Sequence, residues 1–227
     1  MADIAGKVGM LRIGGYKQTT TIAFVEGGAG ADTITDSGNG FLLAGFVAGD
    51  KISVIGSTSN DGTYTIDTVV AGMITLDSGD DLTAENAGAV VTIITVAPGQ
   101  TVYGIVNFGI NYNGEIVDIS TYDTIQANDN NERDFIGTLT GWTLNAGGYY
   151  DTGEAGEEDF VGRIRQFYIF VKYVASPSVP DPAEYYYGIG IITGINPDSA
   201  VDTVVNDPIT IQGIGALSAL TEKTSAW

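Results

Sequence analysis

The chain of 227 residues contains no cysteine and no histidine. Without cysteine, neither a disulfide nor a thiolate metal site is available, and the redox compartment leaves no trace. Without histidine the commonest general base and the commonest metal ligand are both missing, which removes most familiar hydrolase constellations. Cations are scarce as well: nine Lys and Arg stand against 28 Asp and Glu, for a net charge of −19. Such a chain repels a phosphate backbone, so nonspecific attraction to nucleic acid is not expected. No apolar run approaches the ~20 residues of a membrane-spanning helix. The amino terminus, MADIAGK, lacks the charged-then-apolar layout of a secretion signal, so cytoplasmic synthesis is the expectation.

What is present favours strands. Gly, Thr, Ile, Val and Tyr are abundant, a mixture that suits strands and turns rather than helices. The length fits one or two domains with a sizeable core. The clearest pattern is VYGIVNFGINYNGEIVDIST, from Val102. There Phe108, Ile110 and Tyr112 alternate with Asn107, Asn111 and Asn113, the period-two spacing of a half-buried strand. Asn113-Gly114 predicts a turn, or a bulge at which the strand changes direction. After a polar connection, Phe135, Ile136, Leu139, Trp142 and Leu144 mark a second strand-rich piece that closes on GGYYD at Asp151.

The order of these pieces resembles the major tail tube proteins of long-tailed, siphovirus-like bacteriophages. VDIST stands where that family has a DVTT strand, and ERDFI where it has a W-R-E-F-I-x-G turn. GWTLNAGGYYD stands where it has a W-S-x-x-x-x-G-x-Y-D strand. YGIGIITGI from Tyr187 and DPITIQGIGAL from Asp207 are similar to its two closing strands. The resemblance covers residues 1–20 and 98–227. It implies an all-β fold, mainly an antiparallel β-sandwich or partial barrel with one flanking α-helix. It also implies a structural virion protein, not an enzyme, that assembles into stacked hexameric rings, the tail tube through which DNA is ejected. The implied partners are further copies of the chain, a tape-measure protein, tail terminator and distal tail proteins, and translocating DNA held without specific binding. No membrane, cofactor, metal or catalytic residue is implied. The implied location is the virion tail, assembled in the host cytoplasm.

Acidic composition then fits two readings: plain solubility, or a conduit wall to which DNA does not stick. Alternation puts Asn107, Asn111, Asn113, Thr210 and Gln212 on one wetted face, the candidate lumen lining. Asp129, Asn130, Asn131, Glu132 and Arg133 form the candidate intersubunit loop. The alternative is a soluble carbohydrate- or receptor-binding β-sandwich module of a tail fibre or baseplate, with Tyr185, Tyr186 and Tyr187 as its aromatic cluster. Neighbouring strand residues face opposite ways, so no more than two of these tyrosines share a platform.

Residues 21–97 interrupt the family pattern and read as an inserted small β-domain on the tube exterior. Strands are expected at 22–25, 32–35, 41–43, 51–55, 74–76 and 90–94, close-spaced as in a small sandwich or barrel. Asn60-Asp61-Gly62 predicts a hairpin that sets Ile52 and Val54 opposite Tyr64 and Ile66. The segment holds ten acids against the single base Lys51. Its stretch AGFVAGDKISVIGSTSNDGTYTI resembles a short β-module of phage structural proteins. The one helix expected lies at 154–166, with acids at its front, Arg163 and Arg165 at its rear, and Phe160 and Ile164 on one face.

Three motifs point to binding chemistry and are weaker than their plain alternatives. GGAGADTIT from Gly27 fits the calcium β-roll nonapeptide, but a single copy cannot share calcium between turns, and a Gly-rich hairpin around Asp32 is preferred. GIGIITG from Gly188 superficially resembles a dinucleotide loop, yet its third glycine is late and no helix follows. Close backbone approach explains these glycines better. DNNERD from Asp129 lacks the Gly and the closing Glu of a calcium loop and reads as a solvated or intersubunit loop. No spacing singles out a catalytic pair among the many carboxylates.

Overall fold

The computed structural model describes residues 9–28, 30–96, 100–118, 135–149, 161–172, 174, 177–179, 181–195 and 206–225. In chain order the first elements are β1 (Gly9–Gly14), β2 (Tyr16–Thr19), β3 (Ile22–Val25), β4 (Thr33–Asp36), α1 (Phe41–Ala44), β5 (Lys51–Ile55), β6 (Gly62–Val70), β7 (Met73–Leu76) and β8 (Val91–Thr95). They are followed by β9 (Gln100–Asp118), β10 (Phe135–Tyr149), β11 (Ile164–Lys172), β12 (Ala183–Ile195), β13 (Asn206–Ile214) and β14 (Thr221–Lys223). The fold is all-β; the described residues form two antiparallel sheets and one short helix.

The first sheet runs β11-β1-β9-β10-β13-β12-β14, and β11 also pairs with β12. Six strands therefore close into a barrel, and β14 is added outside the ring on β12. Closure removes the free edges that an open sheet would expose. Inside, Leu11, Ile13, Leu144, Phe167, Ile169, Ile192, Ile209 and Ile211 pack around Trp142. The indole takes space that side chains would otherwise fill: a Cβ on Gly213 would lie 2.2 Å from it, and one on Gly188 2.9 Å. A Cβ on Gly190 would come within 2.9 Å of the Gln212 carbonyl oxygen. Gly188 and Gly190 of GIGIITG thus permit close packing of barrel strands, as their strand setting suggested.

The long pair β9–β10 runs in antiparallel register from Asp118↔Phe135 to Gly104↔Tyr149. The strand does not turn at Asn113-Gly114. Those residues pair with Gly141 and Thr140, and the register shifts fall elsewhere, at Thr138 of β10, which is left over between Gly137 and Leu139, and at Val106 of β9, left over between the partners of Gly147 and Gly148. A continuous partner strand holds the Asn-Gly pair extended, where local sequence alone favours a turn.

The second sheet, β2-β8-β5-β6-β7-β4-β3, lies between β1 and β9 in the chain. It is rolled: its edge strands β2 and β3 are separated in sequence only by Thr20 and Thr21. β6 serves both halves, pairing with β5 through Gly62–Thr65 and with β7 from Ile66 to Val70, across a register shift between Ile66 and Thr68. Alternate residues of its strands enter the core, among them Ile22, Phe24, Ile34, Ile52, Val54, Ile74, Leu76 and Ile93.

Three expectations are corrected. Residues 41–43 are helical, not extended: Phe41 and Ala44 are buried while Leu42 and Leu43 face out, and Gly45 (φ 86) ends the turn. The Asn60–Gly62 hairpin pairs Ile52 with Tyr64 but Val54 with Gly62, not with Ile66. Asn60 is buried rather than at a turn tip, because its side-chain amide bridges to Thr83 and Glu85. The helix expected at 154–166 does not extend to its end: Ile164, Arg165 and Gln166 open β11, paired with Ile191, Gly190 and Ile189. Strand pairing overrides the helical charge order there, and residues 154–160 lie outside the described residues.

Candidate interaction surfaces

On the outer wall of the barrel, β9, β10 and β13 bring polar residues into rows. Asn111 pairs with Thr143 and Thr143 with Gln212; Asn145 pairs with Thr210. Thr143 Oγ1 donates to Gln212 Oε1 at 3.4 Å, Thr210 Oγ1 to Asn145 Oδ1 at 3.2 Å, and Gln212 Nε2 to the Trp142 carbonyl at 3.2 Å. The alternation read from sequence therefore brings Asn111, Thr210 and Gln212 to one surface. Asn107 and Asn113 occupy register positions of the same parity, opposite Gly147 and Gly141. The described side chains of these rows are neutral, so the acidity of the chain is not concentrated here. The loop candidates Asp129, Asn130, Asn131, Glu132 and Arg133 lie outside the described residues.

The tyrosine cluster is divided as strand geometry requires. Tyr186 packs against the barrel core. Tyr185 and Tyr187 face the other way, with Tyr168 and Phe170 of β11; the Tyr168–Tyr187 rings stack with centroids 6.3 Å apart. Tyr168 and Phe170 are buried, so this is a packed cluster with only Tyr187 at its margin, not an open aromatic platform.

The two sheets meet at a neck where β2 enters and β8 leaves the rolled sheet. Thr95 N–H donates to the Gly15 carbonyl at 3.0 Å, and Gly15 N–H donates to Thr95 Oγ1 at 2.9 Å. Thr95 Oγ1 in turn donates to Asp50 Oδ2 at 3.2 Å, and the Tyr168 hydroxyl of the barrel donates to the Thr95 carbonyl. Burial pushes the Asp50 carboxyl up to about 6, against the opposing hydrogen bonds from Val47 and Thr95. Burial likewise raises the Tyr168 phenol, helped by the neighbouring Tyr185 and Asp50.

Beside the neck lies a cleft of about 470 Å³, lined by Lys17 of β2, Leu43 of α1, and Arg163, Ile164 and Arg165 at the start of β11. Arg165 is buried against the end of α1, where a Cβ on Gly45 would lie 2.8 Å from its Nε. Burial, and secondarily the Arg163 charge, pull its guanidinium down to about 10. Arg163 donates to the Leu43 carbonyl at 3.4 Å. Lys17 stands 3.3 Å from Asp36, whose carboxylate also accepts from Thr21 Oγ1 at 2.5 Å, Gly38 N–H at 2.9 Å and Gly40 N–H at 3.0 Å. Burial opposes ionisation of Asp36, but these bonds and Lys17 outweigh it and hold the carboxyl below its ordinary range. Sequence reading missed the cleft; its only local signal was two of the nine cations, Arg163 and Arg165, standing two residues apart.

The calcium-like nonapeptide has a structural use. Asp32 is buried; one carboxylate oxygen accepts from Gly27 N–H at 2.7 Å and the other from Leu82 N–H. Its acceptors hold a Gly-rich loop to the rolled sheet.

No protein-family model matches the chain, and no curated protein does. Among solved structures it is similar to a chain in the virion of a native gene transfer agent particle, at 19% identity and a TM-score of 0.37, over 54% of this chain and 88% of that one. It is similar also to a chain in the tail of an empty gene transfer agent particle with C6 symmetry, at 18% identity and a TM-score of 0.38, over 54% of this chain and 87% of that one.

Proposed function

We propose that the chain is a structural protein of a phage-like tail, one that assembles into hexameric rings and stacks them into the tail tube. One observation carries the reading. The described parts of the stretches that resemble tail tube proteins, separate in sequence, lie on β9, β10, β13 and β12, four consecutive neighbours of one closed barrel. A resemblance scattered over unrelated surfaces would have no such unity. In this reading the neutral polar rows around Asn111, Thr210 and Gln212 line the lumen, where hydroxyl and amide groups stay wetted and offer DNA no cation to hold. The rolled sheet projects from the tube exterior as an inserted domain. The role is one of scaffold and conduit, with no catalytic step. A tape-measure protein and the tail terminator and distal tail proteins are its proposed partners.

Negative-stain electron microscopy of the purified chain across a concentration series is the test. Rings or hollow tubes of uniform diameter, with bumps on the outer wall that vanish when residues 16–95 are replaced by a short linker, are the expected result. Particles that remain monomeric at every concentration, including after addition of a preformed tail-tip fraction, would overturn the reading.

A further inference from the structure

Positive charge is unevenly placed on this molecule. Three of its nine cations, Lys17, Arg163 and Arg165, line the cleft between the rolled sheet and the barrel described above. Lys17 is already matched by Asp36. Among the described residues no carboxylate pairs with Arg163, whose guanidinium reaches the Leu43 carbonyl instead. The lip around it is apolar and open: Leu43 is 60% and Ile164 41% exposed. A cation flanked by exposed apolar side chains suits an anionic protein surface that can also cover apolar area.

The rolled sheet carries exposed carboxylates. Asp67, Asp77 and Asp81 are exposed. The loop bearing the last two is fixed to β6, because Asp77 N–H donates to the Thr65 carbonyl at 2.9 Å and Thr65 N–H donates to Asp80 Oδ2 at 2.5 Å. With 28 acids on each chain, two copies repel one another except where a cation meets a carboxylate. We propose that the cleft at Arg163 docks the acidic rim of a second copy, formed by Asp67, Asp77 and Asp81. The inference rests on the self-assembling reading above and adds to it a contact made by the rolled sheet rather than by the barrel. Cleft and rim are different surfaces, so the contact is head-to-tail, and contacts of that type propagate into rings or helical arrays instead of ending at a dimer.

The test is sedimentation velocity with electron microscopy on the full chain, at low and high salt, for wild type and four variants. Arg163→Glu reverses the cleft charge, and Asp77→Lys with Asp81→Lys reverses the rim. The third variant combines all three changes. Leu43→Ser alters only the exposed lip, so it probes the cleft without disturbing a core. Circular dichroism verifies that each variant folds. Either charge reversal alone is expected to raise the concentration for half-assembly by about tenfold or more at low salt, high salt to narrow that difference from wild type, and the combined variant to return within a few-fold of wild type. Wild-type arrays that Arg163→Glu and Leu43→Ser leave unchanged overturn the cleft contact while the tube reading stands. A wild-type chain that never associates overturns both. An Arg163→Glu defect seen only when another acidic protein is added gives the cleft to that partner and overturns the second-copy assignment.

Discussion

The Tyr168 hydroxyl, on a barrel strand, donates to the backbone carbonyl of Thr95, the last residue of the rolled sheet before the chain returns to the barrel. Tyr168 is buried, so its phenol and the carbonyl it meets have no solvent to fall back on. This one bond ties the neck to the barrel wall. Tyr168→Phe keeps the ring stack and removes the donor, and should cost about 1–2 kcal/mol. Limited proteolysis should then cut near residue 96 faster than in wild type, at a denaturation midpoint only modestly lowered. An unchanged cleavage rate would show that the neck is held by other contacts.

Asp50 gives the neck a pH dependence of unusual sign for a carboxylate. Its folded value of about 6 exceeds the ordinary 3.8, so between those limits the folded chain keeps a proton that the unfolded chain has lost. Stability from this group therefore falls as pH rises through that window, by up to about 3 kcal/mol. Asp50→Asn should melt higher than wild type at neutral pH, with the gap closing as the pH approaches 3.8. Calorimetry over a pH series decides it; a gap independent of pH would contradict the assignment.

Asp36 behaves in the opposite sense. Its carboxyl is held low, so its contribution is present above the ordinary value of 3.8 and is lost as pH falls below it. Asp36→Ala strips acceptors from Thr21, Gly38 and Gly40 and leaves Lys17 without its counter-ion. A loss of about 2–4 kcal/mol at neutral pH is expected, measured by urea denaturation and shrinking in acid.

Gly213 tests the barrel core. A methyl placed there meets the indole of Trp142 at 2.2 Å, too close for either to stay. Gly213→Ala should destabilise the fold by about 3 kcal/mol or more and alter the tryptophan emission of Trp142. Near-wild-type stability would mean that the indole has room to shift.

Much of this architecture is legible in the sequence, in a graded way. β3 and β5 lie where alternation and bounding turn residues predict them. Alternation also places Asn111, Thr210 and Gln212 on one wall. It fails at residues 41–43, since a run of three apolar residues carries no period, and the decision falls to Gly45 and to the burial of Phe41 and Ala44. The charge order from Glu154 to Arg165 predicts a helix, and at its end Ile164–Gln166 are claimed instead by β12. The neck and the cleft are invisible for a different reason. Gly15, Asp50, Thr95 and Tyr168 come from four distant stretches, as do Lys17 and Arg163 from two, and nothing local in any of them announces the others.

The neck has one more implication. The chain enters the rolled sheet at Gly15 and leaves it at Thr95, and those two residues are hydrogen-bonded to each other in both directions. To the barrel, the rolled sheet is joined through two adjacent pins, with Arg163 and Arg165 touching it at the end of α1. The 79 residues between them can therefore be shortened or exchanged with no change in the distance the barrel strands must span. Such a joint lets one half of a protein evolve against its surroundings while the other stays committed to its own closed ring of strands.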